Sequence, residues 1–356
     1  MTKVRLLASV ALSLPLALGC SPAPATSLTA SSSPLASASA VPPAVSAAAA
    51  SSPSAKARAL ANAAPPDPSV VERLKSDVRD VSIEREPGTP GWKKVQDLIG
   101  GRLKKHGFEV ENHSWQPISK NVIGKKKGTK KPDEIVILSA HYDHVWGCQG
   151  ADDNGSGVAV VLEAARVLGE IEPERTLVLA FWDHEESGLY GSSAYVTRAR
   201  QRKEDIRVMI SLDGVGFVDS RPGAQQMPDG IGLVVPDLVQ ELEEREHRGD
   251  FIAVIGDDES DHAVRAFDDH GVNRGLPVLG AALSAIGRLA LIDAARSDHA
   301  SFWLGGFPGI LVTDTANFRN PRYHCGAGPD TPESLDYVFL AKVALTTIDV
   351  VKSSLH

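Results

Sequence analysis

Residues 176–188 read Thr-Leu-Val-Leu-Ala-Phe-Trp-Asp-His-Glu-Glu-Ser-Gly. The first seven are nearly all apolar and do not alternate, which describes a short strand buried on both faces. Strands of that kind lie in sheets that helices cover on either side. Just beyond the strand stand Glu185 and Glu186. Two carboxylates at the end of a buried strand repel each other unless cations neutralise them. Adjacent side chains diverge, so one glutamate can ligate a cation while its neighbour holds a water.

The same grammar extends outward. Glu134–Ala140 (Glu-Ile-Val-Ile-Leu-Ser-Ala) is a second buried run, Ile206–Leu212 a third, and Phe251–Ile255 and Gly309–Thr313 are further strands. Val158, Val161, Leu162, Ala165 and Leu168 follow helical spacing, predicting a helix over Gly155–Leu168. Other helical patterns cover Ser69–Val81, Gly91–His106, Leu189–Arg200 and Leu335–Lys352, and Phe108–Trp115 and Asn121–Gly124 read as extended. Strands alternating with helices predict a single α/β domain with a mixed, mostly parallel sheet and helices on both faces.

Each chemically active group sits where one of these runs ends, the place where open α/β sheets gather ligands. His141 follows Ala140. Asp143 lies two residues on, able to point the same way and to fix the imidazole through its other N–H. Asp152 lies in the turn Gly150-Ala151-Asp152-Asp153-Asn154-Gly155, where glycine permits a sharp bend and one carboxylate can reach two cations. On that reading Asp152 bridges and Asp153 or Asn154 caps the helix; the plainer reading makes all three a helix cap. Asp213 follows Leu212, and His324 lies beyond the last strand. Singly these are a turn aspartate and a structural histidine. Together they are the ingredients of a two-metal hydrolytic site.

Six motifs occur in order: AHYDHVWG (140–147), GADDNGSG (150–157), FWDHEESGLYGS (181–192), SLDGVG (211–216), SDHASFW (297–303) and RYHCGAGPDT (322–331). Over Asn121 to Tyr337 this chain resembles the co-catalytic zinc aminopeptidases. That family includes secreted bacterial leucine aminopeptidases, with glutamate carboxypeptidase II and glutaminyl cyclase as relatives. The resemblance implies a zinc exopeptidase-like fold, two Zn²⁺ per chain and peptide substrates. It places His141 and Asp213 on one metal, Glu186 and His324 on the other, Asp152 between them, and Glu185 as general base. Asp143 becomes the outer partner of His141. Asp298 takes a supporting role near the site, or caps the helix that follows it.

Two zinc ions about 3.5–4 Å apart lower the pKa of a shared water toward neutrality. Glu185 would take the water's proton and deliver it to the departing amine, while a metal polarises the scissile carbonyl. In the family's aminopeptidases a metal also receives the free α-amine, so cleavage after the first residue is expected. A carboxypeptidase or dipeptidase would use the same ligands with a different pocket. A glutaminyl cyclase would use one zinc, and its bridging loop departs from GADDNGSG. A non-catalytic receptor-like domain typically loses ligands or the base, whereas all six positions are filled here. Arg221–Arg296 matches the family poorly and leaves the side-chain preference unread.

The N-terminal part is of another kind. Lys3 and Arg5, the apolar stretch Leu6–Leu18, and Ala17-Leu18-Gly19-Cys20 describe a secretory signal, too short for a spanning helix of about 20 residues. Gly19-Cys20 resembles a bacterial lipobox, so residues 1–20 are expected to be a lipoprotein signal with Cys20 lipidated; simple cleavage and secretion is the alternative. Ser21 after the cysteine resembles the outer-membrane pattern. In residues 21–65, 35 of 45 are Ser, Ala or Pro, which predicts a disordered tether with little to bury. Residues 66–356 then form the catalytic domain. Residues 1–65 hold four of the 37 basic residues and none of the 45 acidic ones, so the rest carries a net −12. That charge argues against a nucleic-acid partner and leaves the lipid as the sole membrane contact. With Cys20 lipidated, Cys148 and Cys325 remain. Cys148 lies between two expected ligands and Cys325 follows a third, so convergence on the metals brings both near. They are expected to pair if their Cα atoms lie within about 4.4–6.8 Å.

Overall fold

An eight-stranded sheet organises the chain, whose computed structural model describes residues 54–356. The expected signal segment, and the tether up to residue 53, lie outside the described residues. In chain order the elements are α1 (Ala55–Asn62), α2 (Pro68–Val81), α3 (Pro90–Lys105), β1 (Glu109–His113), β2 (Asn121–Lys126), β3 (Lys131–His141), α4 (Gly157–Leu168), β4 (Arg175–Trp182) and α5 (Tyr190–Arg202). There follow β5 (Asp205–Leu212), α6 (Ile231–Val234), α7 (Pro236–Glu244), β6 (Ile252–Asp257), α8 (Asp261–Arg274), β7 (Val278–Leu283), α9 (Ala285–Ala290), α10 (His299–Gly305), β8 (Gly309–Thr313) and α11 (Tyr337–Ser354).

The strand order is β1-β2-β4-β3-β5-β8-β6-β7. The central four, β4, β3, β5 and β8, run parallel, while β1–β2, β2–β4 and β8–β6 are antiparallel. The mixed, mostly parallel α/β architecture is therefore as expected. The parallel block sends its carboxyl ends to one edge, and that edge carries the site.

Period-two alternation divides each central strand between two cores. Val136, Leu138 and Ala140 of β3 face a layer built by α2, α3, α4, α8 and α11, with Leu74, Leu103, Phe267 and Leu340 buried in it. Ile135 and Ile137 face the other way, against Tyr195, Val196 and Ala199 of α5 and Phe302 of α10. Helices on both faces explain why these strands read as unbroken apolar runs.

Besides the helices α6, α7 and α9, to which the sequence expectation assigns no element, two features depart from it. The tether does not extend to residue 65, because Ala55–Asn62 is helical. Ser54 accepts from the Ala57 N–H at 3.1 Å, the run Ala-Lys-Ala-Arg-Ala-Leu-Ala lacks proline, and Lys56 pairs with Asp268 of α8 at 2.8 Å. Strong helix formers with a cap and a docking surface outweigh the surrounding low complexity. The second departure is α8 and β7, which the hydrophobic pattern does not announce. β7 carries Gly280-Ala281-Ala282 at its middle, and α8 buries only Ala263, Val264, Phe267 and Gly271.

The two-sided packing of β3 sets a measurable cost. Leu138→Ala should destabilise the domain by about 2–5 kcal/mol, while Leu304→Ala, 85% exposed on α10, should change it by less than about 0.5 kcal/mol. Urea denaturation of the two variants checks the contrast.

Candidate metal centre

Three of the parallel strands each deliver a polar group as they end. His141 is the last residue of β3, Glu185 and Glu186 lie just past β4, and Asp213 follows β5. Two more groups come from loops: Asp153 from the turn before α4, and His324 from the segment after β8. His141 Nε2 lies 3.2 Å from Asp153 Oδ1 and 3.5 Å from Asp213 Oδ1. His324 Nε2 lies 3.2 Å from Asp153 Oδ2 and 3.1 Å from Glu186 Oε2. The structure thus brings His141, Glu186, Asp213 and His324 together, with Glu185 beside them.

The residue between the two histidines is Asp153, not Asp152 as the sequence suggested. Asp152 is turned away and held: its Oδ1 accepts from the Gly216 N–H at 3.0 Å and its Oδ2 from Asn320 Nδ2 at 2.8 Å. Asp330 fixes the turn from behind, accepting from the N–H groups of Asp152 (2.9 Å) and Asp153 (3.2 Å). The local cap is Asn154, whose Oδ1 accepts from the Gly157 N–H at 3.2 Å while Nδ2 donates to Leu212 O at 2.7 Å. Adjacent aspartates in one turn are equivalent by composition. Only the tertiary partners of Asp152, from segments near 216 and 320, select which one enters the site.

Asp143 has a wider role than expected. Its carboxylate is 3.7 Å from His141 Nδ1, and its backbone carbonyl lies closer, at 3.3 Å. The carboxylate also accepts from the N–H groups of Glu185 (3.1 Å) and Glu186 (3.3 Å), locking the end of β4 to the end of β3. Asp298 is fully buried at the start of α10 but makes no side-chain cap, and neither carboxylate oxygen has a hydrogen-bond partner among the described residues. Burial pushes its carboxyl up to about 7.

Several supports have no sequence signature. His144 Nδ1 lies 2.8 Å from Glu186 Oε1, and its ring meets that of His324 edge-on with centroids 5.9 Å apart. Gly150, at φ +56°, lies against that ring; a Cβ there would come within 2.5 Å of His144 Cδ2. Arg85 is wholly buried and donates to the carbonyls of Tyr142 (2.8 Å), Gly150 (2.8 Å) and Asp153 (3.2 Å), and also to that of Gln149. Cys148 and Cys325 form a disulfide with Cα atoms 5.9 Å apart, inside the expected window. It ties the loop of His144 to the segment of His324, where both His324 and Cys325 adopt positive φ.

The electrostatics describe a site that asks for positive charge. Burial drives the Glu185 carboxyl well above its usual range. For Asp153 burial acts the same way, but hydrogen bonds to the two imidazoles override it and hold the carboxyl well below that range. Burial alone would lower His324; Asp153 and Glu186 raise it instead, to about 10. Each Nε2 faces two carboxylates, and one proton can satisfy only one of them. Donor atoms of His141, Glu185 and Asp213, and of His141, Asp153 and Glu186, cluster within 4.8 Å. A mixed imidazole–carboxylate set of this kind fits divalent cations such as zinc.

Comparison with known proteins shows the family. Residues 121–280 match the model of Peptidase family M28. The chain is 32% identical over 232 residues to the uncharacterized protein YfbL of Escherichia coli, covering 62% of this chain and 67% of that one. It is 28% identical over 270 residues to leucine aminopeptidase 1 of Ajellomyces dermatitidis, covering 72% of this chain and 61% of that protein, so it spans under two thirds of that relative. A solved zinc aminopeptidase from Bacillus subtilis shares the fold with a TM-score of 0.60 at 17% identity, over 80% of this chain and 95% of the other. Fold, motif order and sequence identity agree: this chain belongs to peptidase family M28.

Proposed function

We propose that this protein is a metal-dependent aminopeptidase that hydrolyses the N-terminal peptide bond, with a dinuclear zinc centre and Glu185 as general base. One observation carries the reading: a single carboxylate, Asp153, stands between two histidines, each of which faces a further carboxylate. Zinc bound at His141, Asp153, Asp213, Glu186 and His324 would supply Lewis acidity to the scissile carbonyl and to the attacking water.

The chain's own residues supply the rest. The Glu185 carboxylate accepts the water's proton and returns it to the departing nitrogen; burial, which raises its pKa, suits it to hold the proton between the two events. Asp143 fixes the base by accepting its backbone N–H, and His144 engages Glu186 Oε1 so that Oε2 stays directed at His324. Beside the centre, Asp213 and Tyr323 open into a hollow lined by Leu238, Phe251, Leu279 and Leu311, which suits an apolar first residue. A one-zinc cyclase would leave one histidine–carboxylate set without a purpose. The chain is also proposed to be exported and held at the outer membrane by a lipid on Cys20, a reading supported by the sequence of residues 1–21 alone.

Three outcomes test these assignments. Asp153→Ala should lose bound zinc, whereas Asp152→Asn should retain it; metal analysis of the purified variants decides which aspartate bridges. Glu185→Ala should keep its zinc yet lose about 10²–10⁴-fold in kcat, while Glu186→Ala should release metal, and equal zinc loss in both would refute the division of roles. The full chain should enter the detergent phase on phase partition, and Cys20→Ser should move it to the aqueous phase.

A further inference from the structure

Arg296, just before the Ser297-Asp298 pair, lines the metal cavity together with His141, Glu185, Asp213 and Tyr323. It is the only arginine or lysine to do so among the described residues. The mechanism above gives it no task. Its guanidinium is fixed from one side: Nη1 donates to Asn317 Oδ1 at 2.8 Å and more loosely to Asp293 Oδ1 at 3.4 Å, and Nη2 reaches the Tyr323 hydroxyl at 3.3 Å. Arg296 and Asp293 have side chains 43% and 40% exposed, so this long contact neutralises little of the charge. The Nε–H has no acceptor among the described residues. Nε and Nη2 together form the edge by which arginine grips a carboxylate through two parallel bonds.

A cation beside the reacting carbonyl of an exopeptidase has a chemically defined counterpart. In a dipeptide the free carboxylate belongs to the leaving residue, one Cα–Cα step of about 3.8 Å beyond the residue being released. In a longer peptide a neutral amide occupies the same place. We infer that Arg296 recognises a free α-carboxylate immediately past the scissile bond, so that dipeptides are the preferred substrate class; this rests on the aminopeptidase reading above. Arg296 is then a specificity residue that binds the leaving half of the substrate.

The test compares leucyl-leucine with leucyl-leucinamide on the purified, zinc-loaded full chain. The free acid should be favoured by about 10- to 100-fold in kcat/KM, mostly through KM, as for loss of a charge-assisted hydrogen-bonded pair. Arg296→Gln should bring the ratio near one, and Arg296→Lys should keep part of it. Equal turnover of acid and amide by the wild-type chain overturns the inference without touching the aminopeptidase reading, and needs no variant to fold. A ratio unchanged in Arg296→Gln, or an equal loss on both substrates, also overturns it, since arginine would then serve only to seat Tyr323. Failure to cleave either dipeptide removes the aminopeptidase reading itself.

Discussion

Crowded negative charge is the constraint around which this domain is arranged. Asp143, Asp153, Glu185, Glu186 and Asp213 meet at the carboxyl ends of three adjacent parallel strands, where burial makes unshared charge costly. The imidazoles of His141 and His324 are inserted among them, each Nε2 facing two carboxylates, and backbone N–H groups at the ends of the strands absorb part of the rest. Asp143 illustrates the economy, accepting from two successive amides while standing beside His141. The parallel block makes this possible because several strands point their last residues at one small volume.

Such a cluster has to be held from outside. Arg85 does so from below, satisfying the carbonyls of Tyr142, Gly150 and Asp153. Arg319 plays the equivalent part on the flank. Buried, it donates to Gln225 Oε1 at 2.8 Å and Phe251 O at 2.8 Å and lies 4.5 Å over the Phe251 ring, joining the wall of the apolar hollow to the loop that carries Asn320. Asn320 in turn holds Asp152 away from the centre. The geometry of the candidate centre is therefore decided by arginines and amides that never face the cavity.

That division explains what could be read in advance. The strands were legible because burial on both faces writes an unbroken apolar run, and His141, Glu185, Glu186, Asp213 and His324 were legible because each stands at or beyond the end of such a run. Asp153 is not distinguishable from its neighbour in sequence, because the choice depends on the donors that Gly216 and Asn320, more than sixty residues away, present to Asp152. β7 was invisible because small residues at its centre leave too little apolar bulk, and α8 because only a narrow stripe of it is buried. Helix α1 was lost in a low-complexity segment whose last stretch happens to lack proline. The pairing of Cys148 with Cys325 was foreseeable only through the convergence of neighbouring side chains.

Arg85 sets the limits of the unit that can work. It lies in sequence well before residue 121, where the family resemblance begins, just as His324 and Cys325 lie well after residue 280, where the family match ends. A fragment cut to the matched residues 121–280 would contain three parallel strands, both glutamates and Asp153. It would lack the guanidinium that holds the Asp153 turn, the second histidine, and the covalent tie between their loops. A fragment meant to keep the centre must therefore reach at least from Arg85 to Cys325, past both ends of the matched residues 121–280.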